Sequence, residues 1–142
     1  MYKELDVIVK NRFIDEFKDG YPLISKESLN SWDQVLKEGT ILNLLDHKKR
    51  FIAKGYYGVQ NKGFGWVLTK NQKQKVNVNL FKEKIGHAIE YRENFYKDKS
   101  TTAFRVLNAE GDNLGGLTID YFDGFYLLTW YSLGVYTFKE QI

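Results

Sequence analysis

Glu110 and Asp112 stand two residues apart in a glycine-rich stretch, Glu110-Gly111-Asp112-Asn113-Leu114-Gly115-Gly116. A carboxylate pair of this kind could hold a divalent cation or act as an acid and a base. The spacing lacks the calcium-loop pattern, and the glycines match neither a nucleotide-phosphate loop nor a dinucleotide fingerprint. The plainer expectation is a strand-connecting turn stabilised by Asx hydrogen bonds. The only imidazoles are His47, in a charged turn, and His87, off the apolar face of its helix. Both are expected to be solvated. The chain has no cysteine, which excludes disulfides, thiolate zinc sites, iron–sulfur clusters and a cysteine nucleophile.

Other residue types suit nucleic acid. Lys48-Lys49-Arg50 could touch a phosphate backbone, although charged hairpin tips are commonly just solvated. Tyr56-Tyr57 could offer a stacking platform for unpaired bases, while strand alternation turns one of the two inward. Gly20-Tyr21-Pro22-Leu23-Ile24 is more specific. A helix that stops on glycine before an aromatic residue and the single proline makes a rigid corner beside Arg12 and Lys18.

The elements that must position these residues are short. Leu5, Val7 and Val9 alternate with polar residues apart from Ile8, which predicts an opening strand. Asn11 is expected to cap a short helix with Phe13, Ile14 and Phe17 on its apolar face and Gly20 at its stop. Residues 41–45 and 51–57 predict a hairpin around the charged turn 46–50, and 64–69 a further strand. This pattern suggests a small barrel-like β unit over residues 1–70. A polar linker over 71–79 leads to a second unit, 80–142. There Asn79 is the expected cap of a helix whose face carries Phe81, Ile85, Ala88, Ile89, Arg92, Phe95 and Tyr96. Strands over 104–107, 117–121 and 125–131 follow, the last two joined by Asp123-Gly124, and residues 135–142 begin another helix. The class is α+β.

The 142 residues carry a net charge of +3 and are 43% hydrophobic and 16% aromatic, which argues for packed cores and against global disorder. The excess charge lies in residues 1–70, with 12 Lys/Arg against 9 Asp/Glu, whereas 71–142 carry 9 of each. The N-terminus has no apolar signal region, and the longest apolar run, 125–131, is far short of the roughly 20 residues that span a bilayer. A soluble cytoplasmic chain is expected.

Several segments resemble one bacterial family in the family's own order. Gly20-Tyr21-Pro22-Leu23-Ile24 resembles the G-H-P-W-[VI] corner in the N-terminal PUA domain of S-adenosylmethionine-dependent 23S rRNA methyltransferases that modify C5 of a cytosine. Residues 37–46 resemble the family's strand ending in aspartate, and Phe51-Ile52-Ala53-Lys54-Gly55-Tyr56-Tyr57 its F-[LI]-[GA]-R/K-G-Y-Y strand. Ala88-Ile89-Glu90-Tyr91-Arg92 is similar to its A-x-x-x-R helix motif. Residues 104–121 resemble its long Y-R-L-[VI]-[HN]-[GA]-E-[AG]-D-[GN]-L-[PG]-G-L-[IT]-[VI]-D-[RY]-Y motif. Tyr21 and Leu23 replace a usual His and Trp, Gly115 a usual Pro, and Trp66 stands where an Arg is common.

The resemblance implies a small PUA-like β pseudobarrel that binds RNA, followed by an incomplete α/β central domain of a helix and antiparallel strands. It implies 23S rRNA as partner, with Arg12, Lys18, Tyr21, Lys54 and Tyr56 as RNA contacts and Glu110 and Asp112 as structural residues. The family's S-adenosylmethionine-binding Rossmann-like domain would need on the order of 150 further residues. Its reaction uses a cysteine thiolate attacking C6, because C5 of cytosine is a poor nucleophile. This chain alone is therefore expected to be inactive, with no cofactor or metal of its own and no membrane contact. An open edge of the second sheet is expected to permit homodimer formation. The alternative is a free-standing PUA-type RNA-binding or interaction module without enzymatic activity.

Overall fold

A computed structural model of the chain describes residues 2–30, 35–61 and 63–142. The first alternating run forms β1 (Glu4–Ile8), and a 3-10 turn over Asn11–Phe13 leads into a short helix, α1 (Ile14–Lys18). Asn11 is not a cap. Neither segment has a side-chain cap, and Asn11 Oδ1 lies 3.1 Å from His47 Nδ1 instead. Gly20 ends the helical segment as expected. Its φ of +100° folds the Gly20 and Tyr21 N–H groups back onto the Phe17 and Glu16 carbonyls. Pro22 then leads into β2 (Leu23–Ile24).

The expected hairpin is β3 (Ile41–Leu45) and β4 (Phe51–Gln60), and β5 (Gly63–Thr69) pairs back onto β4. The five-stranded sheet has the order β1-β3-β4-β5-β2, with β1 parallel to β3 and the other pairs antiparallel. A parallel pair needs a crossover, and the long connection carrying α1 and β2 supplies it.

The continuous apolar run Ile41-Leu42-Asn43-Leu44-Leu45 reads as a strand covered on both faces, and both faces are covered. Leu42, Leu44, Ala53 and Phe64 pack with Val9, Phe17 and Leu29 in one core. Ile41, Tyr56, Trp66 and Leu68 belong to the other core and pack against the second half of the chain.

That half opens with α2 (Val78–Tyr91), followed after Arg92 by α3 (Glu93–Lys97). Asn77, not Asn79, caps α2, its side-chain oxygen accepting from the Asn79 and Leu80 N–H groups. β6 (Ala103–Asn108), β7 (Leu117–Phe122) and β8 (Phe125–Trp130) form an antiparallel sheet. Asp123 and Gly124 have φ of 42° and 97°, the conformation a two-residue hairpin turn demands. The expected last helix is a single turn, α4 (Leu133–Tyr136), capped by Ser132 and followed by turns. Leu80, Phe81, Leu107, Leu117, Val135 and Phe138 share one core with Tyr56 and Trp66. The α+β class holds. Among the described residues β8 has no strand on its outer edge, and Phe125, Tyr126 and Leu127 are exposed there. No helix among them is long and apolar enough to cross a membrane.

Candidate functional site

The two carboxylates of the glycine-rich turn are engaged by protein partners. Asp112 accepts a bidentate pair from Arg92, at 3.1 Å and 2.8 Å, and also the Asn108 backbone N–H. Arg92 further donates to the Ala88 carbonyl at 3.1 Å, so the helix motif and the long motif meet in one partly buried ion pair. Glu110 accepts the Trp66 indole N–H at 2.7 Å. No group of metal-ligating side chains occurs among the described residues.

The glycines of this stretch are likewise taken up by packing. A Cβ on Gly115 would lie 2.1 Å from Trp66 Cδ1, and one on Gly116 would lie 2.6 Å from the Tyr56 hydroxyl. These two glycines leave no cradle for S-adenosylmethionine in this stretch. An indole at 66 occupies the space that a proline ring at 115 would need, so Trp66 and Gly115 suit each other.

Lys54 and Tyr56, expected at an RNA surface, are placed inside. Tyr56 is fully buried, stacked on Trp66 at 5.7 Å, with its hydroxyl donating to the Gly115 carbonyl at 2.7 Å. Burial pushes that phenol well above its ordinary pKa. Tyr56 is a core residue because the second half of the chain covers its face of β4. Lys54 is only 6% exposed; its ammonium donates to the Gln72 and Gln74 carbonyls and lies 4.0 Å from the Glu4 carboxylate. It pins the polar segment after β5 to the sheet.

Arg12, Lys18 and Tyr21 remain on the surface of the α1 corner. Arg12 pairs with Glu27 and lies over the Phe13 ring at 4.8 Å. Lys18 is exposed at the end of α1, its carbonyl accepting from Lys70 Nζ, and the Tyr21 ring is half exposed. Lys48, Lys49 and Arg50 are also exposed, on a turn ordered by buried Asp46. Asp46 accepts the Arg50 and Lys48 N–H groups and the Arg50 guanidinium.

Those bonds, led by the Arg50 N–H, hold the Asp46 carboxyl down at about 2, against 3.8 ordinarily. A depressed carboxyl stabilises the fold above its unfolded value and loses that contribution as pH falls through the folded one. Urea midpoints are therefore expected to drop between pH 4 and pH 2, and to drop less in Asp46→Asn. Equal pH dependence in both proteins would refute this.

Beside the α1 corner, a groove of about 780 Å³ runs between Pro22 and the end of β5 on one side and α2 on the other. Lys84, His87 and Tyr91 line it from one face of α2, and Lys70 from β5's end. By its sequence position His87 is a solvated imidazole, and its neighbours Lys84 and Tyr91 carry no motif. The spacing 84, 87, 91 was the available signal, since these positions share one helical face.

The β sheet and corner define a class first: residues 7–70 match the PUA-like domain family. Over 135 residues the chain is 43% identical to YwbD of Bacillus subtilis, named as a candidate ribosomal RNA large subunit methyltransferase, covering 94% of this chain and 34% of that protein. It is 27% identical over 96 residues to ribosomal RNA large subunit methyltransferase I of Citrobacter koseri, covering 68% of this chain and 24% of the relative. A candidate SAM-dependent methyltransferase from Streptococcus mutans superposes with a TM-score of 0.87 at 30% identity, over 97% of this chain and 36% of that one. A candidate methyltransferase crystallised with SAH superposes with a TM-score of 0.83 at 30% identity, over 99% of this chain and 35% of that one. The chain thus spans between a quarter and about a third of the length of these relatives.

Proposed function

We propose that this chain is the RNA-docking part of a cytoplasmic, S-adenosylmethionine-dependent 23S rRNA methyltransferase acting on C5 of a cytosine. In this reading the PUA-like unit over residues 1–70 grips structured rRNA. The unit over 80–142, joined to it through residues 71–79, carries a separate catalytic domain. The observation that carries the reading is the α1 corner, which sets Arg12, Lys18 and Tyr21 on the surface within a PUA-like domain. Arg12 and Lys18 hold phosphates and set position, and Tyr21 stacks on an exposed base. The exposed apolar residues of β8 are where the rest of a longer protein, or a second copy, packs.

Binding of this chain to a structured 23S rRNA fragment tests the docking role. Contacts with three or four phosphates give a slope of log K against log salt of roughly −2 to −3. Arg12→Gln and Lys18→Gln are each expected to make that slope shallower by about 0.7. Weak binding that does not respond to salt would sink the proposal.

A further inference from the structure

The groove beside the corner belongs to neither half of the chain alone. Its walls come from the Gly20–Pro22 corner, the end of β5, α2 and the turn after β6, and its volume is about 780 Å³. Sites for small organic groups run from about 300 to 1,000 Å³, so one nucleotide fits with space for its neighbours' backbone.

The chemistry of its walls is uneven. Lys84 is half buried and makes no hydrogen bond or ion pair among the described residues. Burial lowers the pKa of its ammonium, and the charge of neighbouring Glu83 offsets this only in part. Lys70 and His87 add a second cation and a hydrogen-bonding ring. Asp112 is already neutralised by Arg92, which leaves Glu83 as the carboxylate of the groove without an ion-pair partner among the described residues. Tyr91 is 84% exposed, and the Arg92 guanidinium lies 5.6 Å from its ring centroid, so the ring is supported while most of it faces water. A large exposed ring and an ammonium free of close ion pairs, about two helical turns apart along one groove, suit a planar group attached to a phosphate.

We infer that this groove takes a single unpaired RNA nucleotide, with Lys84 on its phosphate and Tyr91 stacked on its base. The inference rests on the docking reading above and extends it. The corner holds the structured RNA, and the groove receives a nucleotide that leaves the helix beside it. A duplex cannot use the groove in this way, because its bases are stacked and paired.

The test uses this chain with two fluorescent probes, a mixed-sequence single-stranded RNA of nine nucleotides and a duplex RNA of the same length. Lys84→Gln is expected to weaken single-strand binding roughly fivefold and to make the salt slope shallower by about 0.7. Tyr91→Ala is expected to weaken it roughly tenfold with the slope unchanged, and Tyr91→Phe to restore it. Glu83→Gln should tighten binding roughly twofold by removing a repulsive charge. None of these changes should alter duplex binding. Single-strand affinities and slopes unmoved by Lys84→Gln and Tyr91→Ala overturn the groove inference and leave the docking role intact. Equal losses on the duplex also overturn it. Absence of salt-dependent binding to either probe and to the structured fragment overturns the docking role itself.

Discussion

Tyr56→Ala is expected to destabilise the chain by about 4 kcal/mol. The side chain is fully buried between Trp66 and Phe138, with ring centroids 5.7 Å from each. Removing the ring leaves a cavity in the core shared by both halves, and it strands the Gly115 carbonyl without its 2.7 Å donor. Tyr56→Phe keeps the packing and should cost only about 1 kcal/mol, the usual net worth of one hydrogen bond. Set against a typical total of about 5–15 kcal/mol, the alanine variant approaches the limit of what a domain tolerates.

Because Tyr56 sits where the two halves meet, this loss should appear in one cooperative transition. Urea unfolding followed by far-ultraviolet circular dichroism and by tryptophan fluorescence should give coincident curves in wild type and variant, displaced together. Two separate transitions, with only one shifted by the substitution, would show that the halves are stable independently and that the shared core does not couple them.

Asp112→Ala carries the second large effect, about 3–4 kcal/mol. The Asp112 and Arg92 side chains are only 11% and 12% exposed. Removing the carboxylate leaves a guanidinium and the Asn108 N–H without their acceptor in a partly dry site. Replacing both partners with apolar residues, Arg92→Met with Asp112→Leu, should cost clearly less than the two single changes added together, since no charge is then left behind. A double variant as unstable as the sum of the singles would mean that the pair acts only through the packing of its stems. The ion pair also fixes Arg92 beneath Tyr91 in the groove, so Asp112→Ala is expected to weaken the platform there as well as the fold.

Much of the local structure was legible in the residues. Gly20 and Asp123-Gly124 mark turns through backbone angles that other residues avoid, and the apolar runs at 41–45, 51–57 and 64–69 became strands. The helix after the linker was read correctly in kind but capped two residues late. Asn77 and Asn79 are equally good caps by type, and only the chain path selects between them. The reading of Glu110 and Asp112 as turn residues agrees with their bonds to Trp66 and Arg92, though the partners themselves were not visible.

What the sequence determined by itself was the longer strands, the helix after the linker and the corner carrying Arg12, Lys18 and Tyr21. Those depend on backbone preferences and patterning over a few neighbouring residues. What only the tertiary structure decided was which face of each strand meets which partner. Alternation places Tyr56 and Tyr57 on opposite faces of β4, but it cannot say that both faces are covered. Tyr56 left the candidate interface and Lys54 became an anchor because the second half of the chain, some 60 residues further on, packs over that face. The groove at Lys84 and Tyr91 exists for the same reason. It is enclosed by segments more than sixty residues apart, and no local pattern records which segments will meet.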